Sequence, residues 1–387
     1  MEESRSVAAG RQQGRRPSLM AKLFRGVSDR SGHRLLLAIN YGLLLVGTLS
    51  SSILLRFYYI HGGSSRWLTT LIQSSAFPIL LLPIFFSSNA SSHLFSTFTP
   101  KLLLLCVSIG LLNGVNNLLI SWGISYLPLS TSSLILSSQL AFTLLLSVLL
   151  VRQTITFINL NCVILLTLSA ILLAVGSDSD RPDGTTKLQF FMGFFATLGA
   201  SLLFALYLPL VQLVYQGLSK YKTVMEMQVI MQASATVFAL VGMMAGGGVA
   251  EVRKDMRKER GGFDLGLRVY WGTVAATAVC WQMCFMGTAG LVFLTSSLNS
   301  GVCMTALLSL NVLGGVVVFG DAFGAEKAVS LVLCLWAFSS YLYGEYRSRE
   351  REVEDQEECK EMVRLGSEST GDADGGEGEG QHGGSLV

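Results

Sequence analysis

The sequence predicts an all-α membrane protein of about ten transmembrane helices, arranged as two inverted five-helix repeats. Three observations predict it. Of 387 residues, 51% are hydrophobic and 14% charged, with a mean hydropathy of +0.52, whereas a soluble domain carries about 25% charge. Apolar runs recur at roughly 20 residues, the length that crosses a hydrocarbon core of about 30 Å. Finally, Thr131-Ser132-Ser133-Leu134 recurs unchanged as Thr295-Ser296-Ser297-Leu298, 164 residues later, and at that offset Gly123 falls on Gly287. Each copy continues as an apolar helix, a short polar turn and a second apolar helix, ending near Val175 and Tyr346. An odd number of spans per half gives the halves opposite orientations in the membrane.

Residues 1–33 carry Arg5, Arg11, Arg15, Arg16, Lys22, Arg25 and Arg30 and open without an apolar stretch. They read as a disordered basic cytosolic tail and not as a cleaved signal peptide. The first repeat covers 34–176, with spans at 34–56, 67–86, 102–122, 129–150 and 157–176. A polar linker, 177–187, separates it from the second repeat at 188–346, with spans at 188–215, 224–245, 269–290, 296–319 and 327–346. Residues 347–387 are acidic and glycine-rich and bury too little apolar surface to fold, so a second disordered cytosolic tail is expected. With both tails inside, 17 of the 28 Lys and Arg residues lie on the inner side, in line with the positive-inside rule. The segment Glu251 to Arg268 opposes it by placing six basic residues outside.

Composition also excludes. The net charge of +2 indicates no nucleic-acid partner. Six of the seven cysteines fall in apolar runs and none forms a CxxC pair, so neither a metal site nor a disulfide framework is indicated. The four histidines lie in loops or tails. No His, Cys or paired-acid constellation suited to catalysis falls in the spans, so an embedded enzyme and a cofactor are not expected.

Polar groups inside apolar helices carry the functional signal, because each needs a cavity or a partner. Of 26 acidic residues, Glu226 alone falls clearly within a span. It reads either as a proton-coupling carboxylate or as an interfacial acid paired with Lys222 one turn earlier. Gln228 and Gln232 share another face of that helix. Gln228 is the better substrate contact, since a primary amide matches the donor and acceptor edge of a heteroaromatic ring. Asn113, Asn116 and Asn117 are spaced to share one face of the third span, as substrate contacts or as interhelical glue. Gln139 in the fourth span and Trp281 with Gln282 in the eighth complete the candidate substrate-binding set with Tyr207. Tyr207 and Trp281 are placed either to stack on an aromatic ring or to anchor packing. Pro209, Pro78 and Pro83 lack a backbone N–H and mark candidate kinks. No span carries Lys or Arg at its middle, so a phosphate-bearing substrate is not expected. A small neutral or cationic substrate is.

These residues belong to a longer set. Leu55-Arg56-Phe57-Tyr58 precedes His61-Gly62-Gly63-Ser64-Ser65-Arg66-Trp67, and Gln73 to Pro78 follow. Asn116-Asn117, Tyr126-Leu127-Pro128-Leu129-Ser130-Thr131-Ser132-Ser133-Leu134 and Ser138-Gln139-Leu140-Ala141-Phe142 come next. Tyr207-Leu208-Pro209-Leu210, Met225-Glu226-Met227-Gln228 and Trp336 with Ser340-Tyr341 complete it. In these stretches, and in their order from Arg34 to Tyr346, the chain resembles the plant purine permease family of the drug/metabolite transporter superfamily. The resemblance implies ten helices and secondary-active, proton-coupled uptake. Its implied substrates are purine nucleobases and derivatives such as cytokinins, or in some members alkaloids or vitamin B6 compounds. The basic segment 251–268 and the long C-terminal tail depart from that pattern. A carrier or exporter of another ring compound and a non-transporting scaffold or receptor are the competing expectations. The plasma membrane is the default location, with vacuolar and endoplasmic reticulum membranes as alternatives.

Overall fold

The computed structural model describes residues 30–87, 98–151, 157–175, 186–216, 218, 220–257, 263–341, 343, 344 and 347. The basic tail up to residue 29, nearly all of the linker and the tail beyond residue 347 lie outside the described residues. The chain forms two compact units, Met1–Phe338 and Ser339–Val387. In the second, the Arg347 guanidinium lies 5.9 Å from the centroid of the Tyr343 ring.

The described residues are helical throughout, without strands. They form α1 (Arg30–Ile60), α2 (Arg66–Ser74), α3 (Leu81–Ser87), α4 (Pro100–Tyr126), α5 (Leu129–Leu136), α6 (Gln139–Val151) and α7 (Phe157–Val175). Then follow α8 (Lys187–Tyr215), α9 (Tyr221–Ala245), α10 (Gly248–Asp255), α11 (Leu267–Leu294), α12 (Ser297–Phe319) and α13, which begins at residue 325. Among them, eight spans are long and apolar enough to cross a membrane: α1, α2 with α3, α4, α5 with α6, α8, α9, α11 and α12. The remaining two expected spans coincide with the shorter apolar helix α7 and with α13.

Local chemistry sets the ends. Thr99 accepts from Leu102 N and Pro100 follows it at the first helical position, where its missing N–H costs nothing. Thr186 and Gln189 form a capping box at the start of α8. Ser65 and Ser296 cap α2 and α12.

Two expected spans are interrupted. Pro78 opens a 3₁₀ turn, Phe77–Leu80, between α2 and α3. Between α5 and α6 the ladder tightens at two serines, with Ser138 N bonding Ile135 O at 3.1 Å and Leu140 N bonding Ser137 O at 3.2 Å. The Ser137 hydroxyl donates to Leu134 O at 2.5 Å, a side-chain bond that competes with the helix. Pro209, by contrast, sits inside the continuous helix α8.

The most extensive packing joins α1 to α11, followed by α4 to α8 and α4 to α9. Glycines permit it. A side chain at Gly287 would strike the α1 backbone at Asn40 and Leu44, and one at Gly47 would strike α11 at Cys280 and Cys284. Gly123 meets Thr197 of α8, and Gly110 meets the Met231 carbonyl of α9. Small residues at such crossings let helices approach in lipid, where no hydrophobic force drives them together.

Polar contacts tie both ends of the bundle. At one end the Tyr221 hydroxyl donates to Asn40 at 2.8 Å and Asn299 donates to the Tyr41 hydroxyl at 3.1 Å. At the other, buried Asp255 accepts from Tyr58 at 2.8 Å and from the Ser64 hydroxyl at 2.6 Å. There Asp321 accepts from Ser130 N at 2.9 Å, and Arg56 donates to Ile124 O at 2.9 Å. Asp255 closes α10, which gives the first part of the basic segment 251–268 a structural anchor.

Candidate substrate site

Seven helices of the first unit converge on a central cavity of about 40 Å³. Helix α1 supplies Thr48, Ser51 and Ser52; α4 supplies Asn116 and Ile120; α5 and α6 supply Leu136 and Gln139 from either side of the serine break. The far walls are Ala200 and Phe204 of α8, Trp281, Cys284 and Phe285 of α11, and Met304 and Leu308 of α12. The Trp281 and Phe285 rings lie 5.6 Å apart at 31°. A larger space of about 270 Å³ opens between α6, α7 and α8. Its walls are mostly apolar and Leu145 and Ile171 at its rim are exposed, so it reads as a lipid-facing groove.

The central cavity is distinguished by unspent hydrogen bonds. Both amide atoms of Asn116, Nε2 of Gln139 and Nε1 of Trp281 are buried without a protein partner. Each buried polar group left so costs about 1–3 kcal/mol, and native proteins tolerate this where a ligand or water takes up the bonds. The neighbouring hydroxyl of Thr48 is already spent on sulfur, 3.3 Å from Cys284 Sγ.

Three of the sequence-predicted residues, Asn116, Gln139 and Trp281, thus line one cavity. The others stand around it. Tyr207 is fully buried and stacks on the cavity residue Phe204, with centroids 5.7 Å apart at 28°. Gln228 donates to the hydroxyls of Tyr207 and Tyr215, both at 3.1 Å, and its Oε1 is unpartnered. Asn113, Asn117 and Gln282 are buried with open amide atoms but do not line the cavity. Glu226 is 3% exposed and lies 3.7 Å from Lys222 Nζ, turned away from the Gln228 face as the helical period requires.

Sequence reasoning passed over Ser51, Ser52, Phe204, Gln73 and Asn311. Gln73 donates to Asn117 O at 3.1 Å and to Ser121 Oγ at 2.9 Å, which fixes α2 against α4. Asn311 donates to Ser52 at 3.0 Å. Both are amides inside apolar spans, so the rule that found Asn116 would have found them.

The helices form a multi-pass bundle around a cavity with two amides and an aromatic wall in its lining, the architecture of a membrane carrier. A family model described as purine nucleobase transmembrane transport matches residues 35–351. Probable purine permease 4 of Arabidopsis thaliana is 50% identical over 305 residues, 78% of this chain and 79% of that protein. Purine permease 3 of the same plant is 36% identical over 339 residues, 84% of this chain and 95% of that one. The chain belongs to the purine permease family, and is a purine transporter of the membrane. A solved crystal structure matches with a TM-score of 0.53 at 14% identity, covering 79% of this chain and 96% of that one, which bears on the fold alone.

Proposed function

We propose that this transporter is a proton-coupled importer of purine bases and of derivatives such as cytokinins, and that the central cavity is its substrate site. The observation that carries the reading is that Asn116, Gln139 and Trp281, each with a buried and unpartnered polar group, line one space between aromatic walls. A purine presents ring nitrogens and exocyclic groups along its edge and a π-face to stack, and the aromatic walls match that face. Tyr207 supports the wall through Phe204. Asn113, Asn117, Gln228 and Gln282 extend the polar set behind it. The cavity has room for a few waters, so a bicyclic base requires the helices around it to part.

Glu226 is the proton-binding carboxylate in this reading. Its burial beside Lys222 supports it, since a proton on Glu226 releases the pairing and changes the charge balance at the start of α9. Two inverted five-helix repeats supply the moving parts. The packing supports this: exchanging the halves carries the α1–α11 contact onto α8–α4, the two most extensive in the protein. We place both termini in the cytosol and the protein in the plasma membrane, without cofactor or metal.

Uptake of radiolabelled adenine into cells at acidic and alkaline external pH, with and without unlabelled cytokinin, tests the proposal. Acid-stimulated uptake blocked by cytokinin is the expected result. Uptake that only equilibrates and ignores an uncoupler would remove the proton. Adenine uptake that cytokinin leaves untouched would restrict the substrate to the bare base.

A further inference from the structure

We infer that Asn311 is a positioning residue that holds the Ser52 hydroxyl as a hydrogen-bond donor into the cavity, and so makes the site select ligands that offer a ring-nitrogen acceptor to α1. The inference rests on the central cavity being the substrate site.

Asn311 is completely buried in α12 between Leu310 and Val312. A polar side chain there is costly unless it has work to do. It does not line the cavity itself. Its Nδ2 donates to Ser52 Oγ at 3.0 Å and its Oδ1 has no partner. Ser52 does line the cavity.

A serine hydroxyl has one proton and two acceptor sites. The Asn311 N–H fills one acceptor site, so it orients the oxygen and leaves the proton to be spent elsewhere. In a helix the usual outlet is a carbonyl one turn back. Ser51 takes that outlet, donating to Thr48 O at 3.2 Å. Ser52 makes no such bond among the described residues, so its proton is left for the cavity. The unspent N–H groups of Asn116, Gln139 and Trp281 belong to other residues of the same lining. Four donors among the residues around one aromatic-walled cavity, with no cation in the lining, fit the in-plane nitrogens of a neutral heterocycle better than an anion.

Substitution at position 311 should therefore change which ligands bind, beyond how tightly all of them bind. An aspartate at 311 is a pure acceptor when ionised, accepts the hydrogen bond of the Ser52 O–H and leaves the hydroxyl lone pairs for the cavity. The test is competition of radiolabelled adenine uptake by the deaza-adenines, each with one ring nitrogen replaced by C–H, normalised to protein at the cell surface. In the unaltered protein one of these analogues should bind about three- to tenfold more weakly than adenine because its C–H faces Ser52. That penalty should vanish in Ser52→Ala and in Asn311→Asp, while the penalties of the other analogues persist. The double variant should add nothing further, as expected for two groups acting as one unit. If Asn311→Asp does not reach the surface, Asn311→Leu removes the donor without adding charge, and the same penalty should shrink. Unchanged penalties in Ser52→Ala and in either position-311 variant would overturn the inference. Adenine uptake with inhibition constants unmoved by Gln139→Ala and Trp281→Phe would instead overturn the site on which it rests.

Discussion

Trp281 lines the cavity, its indole N–H has no protein acceptor, and the residue is 7% exposed. Trp281→Phe keeps the aromatic wall and deletes the donor. We expect a rise in KM for adenine of about two- to tenfold, the worth of one neutral hydrogen bond, with surface abundance unchanged. Trp281→Ala should cost more, because the wall is lost too. Glu226 calls for a different readout. If it carries the coupled proton, Glu226→Gln should flatten the pH dependence of uptake and remove the effect of an uncoupler while equilibrating exchange of purine continues. A variant with the original pH profile would reduce Glu226 to a partner of Lys222, 3.7 Å away. Glu226 was legible in the sequence because a carboxylate is rare in an apolar helix, and Trp281 because its ring is suited to stacking. Phe204 was not, since an aromatic residue in a span reads as core until its neighbours are known. Ser51 and Ser52 were hidden for a related reason: hydroxyls are common in membrane helices and usually bond their own backbone.

At the scale of the helix, glycine spacing decides which elements can meet. Gly287 and Gly123 face neighbouring backbone or a side chain at the α11–α1 and α4–α8 crossings, without room for a Cβ. Gly272, on the same helix as Gly287, has open space around it. Gly287→Val and Gly123→Val should therefore each destabilise the protein by about 1–3 kcal/mol or more, the cost of overpacking, and lower both melting temperature and surface level. Gly272→Ala should be neutral or stabilising, because alanine is the better helix former. Equal stability of all three variants in purified protein would contradict the packing described. The sequence repeat singled out Gly123 and Gly287 as equivalent positions before either crossing was visible. The breaks at Pro78 and at Ser137-Ser138 were less legible. The proline announced a kink, but an apolar run of 22 residues at 129–150 reads as one helix. Only the structure shows the Ser137 hydroxyl competing for the Leu134 carbonyl, with Gln139 on the cavity wall just beyond the break.

For the molecule as a whole, the two ends of the bundle around the central cavity are tied by different chemistry. At one end Tyr221 holds Asn40 and Asn299 holds Tyr41, which joins α9 and α12 to α1. At the other, Asp321 holds the first turn of α5 and Asp255 ties α10 to Tyr58 and Ser64. These end contacts lay beyond sequence reasoning because each joins residues well over a hundred positions apart. They have a mechanical consequence. A carrier that opens alternately must break one set at a time, so weakening one set should bias the population toward opening at that end. A cysteine placed at Ser51 in a cysteine-depleted background reports this through its reaction with a membrane-impermeant thiol reagent added from outside. If both termini are cytosolic, as proposed, Asp321→Asn weakens the outer set and should speed labelling about fivefold for each kcal/mol removed. Tyr221→Phe weakens the inner set and should slow it. Two variants that label at the original rate would show that the end contacts only hold the bundle together. The opposite pattern, faster labelling in Tyr221→Phe and slower in Asp321→Asn, would invert the orientation of the chain in the membrane while leaving the two-gate architecture intact.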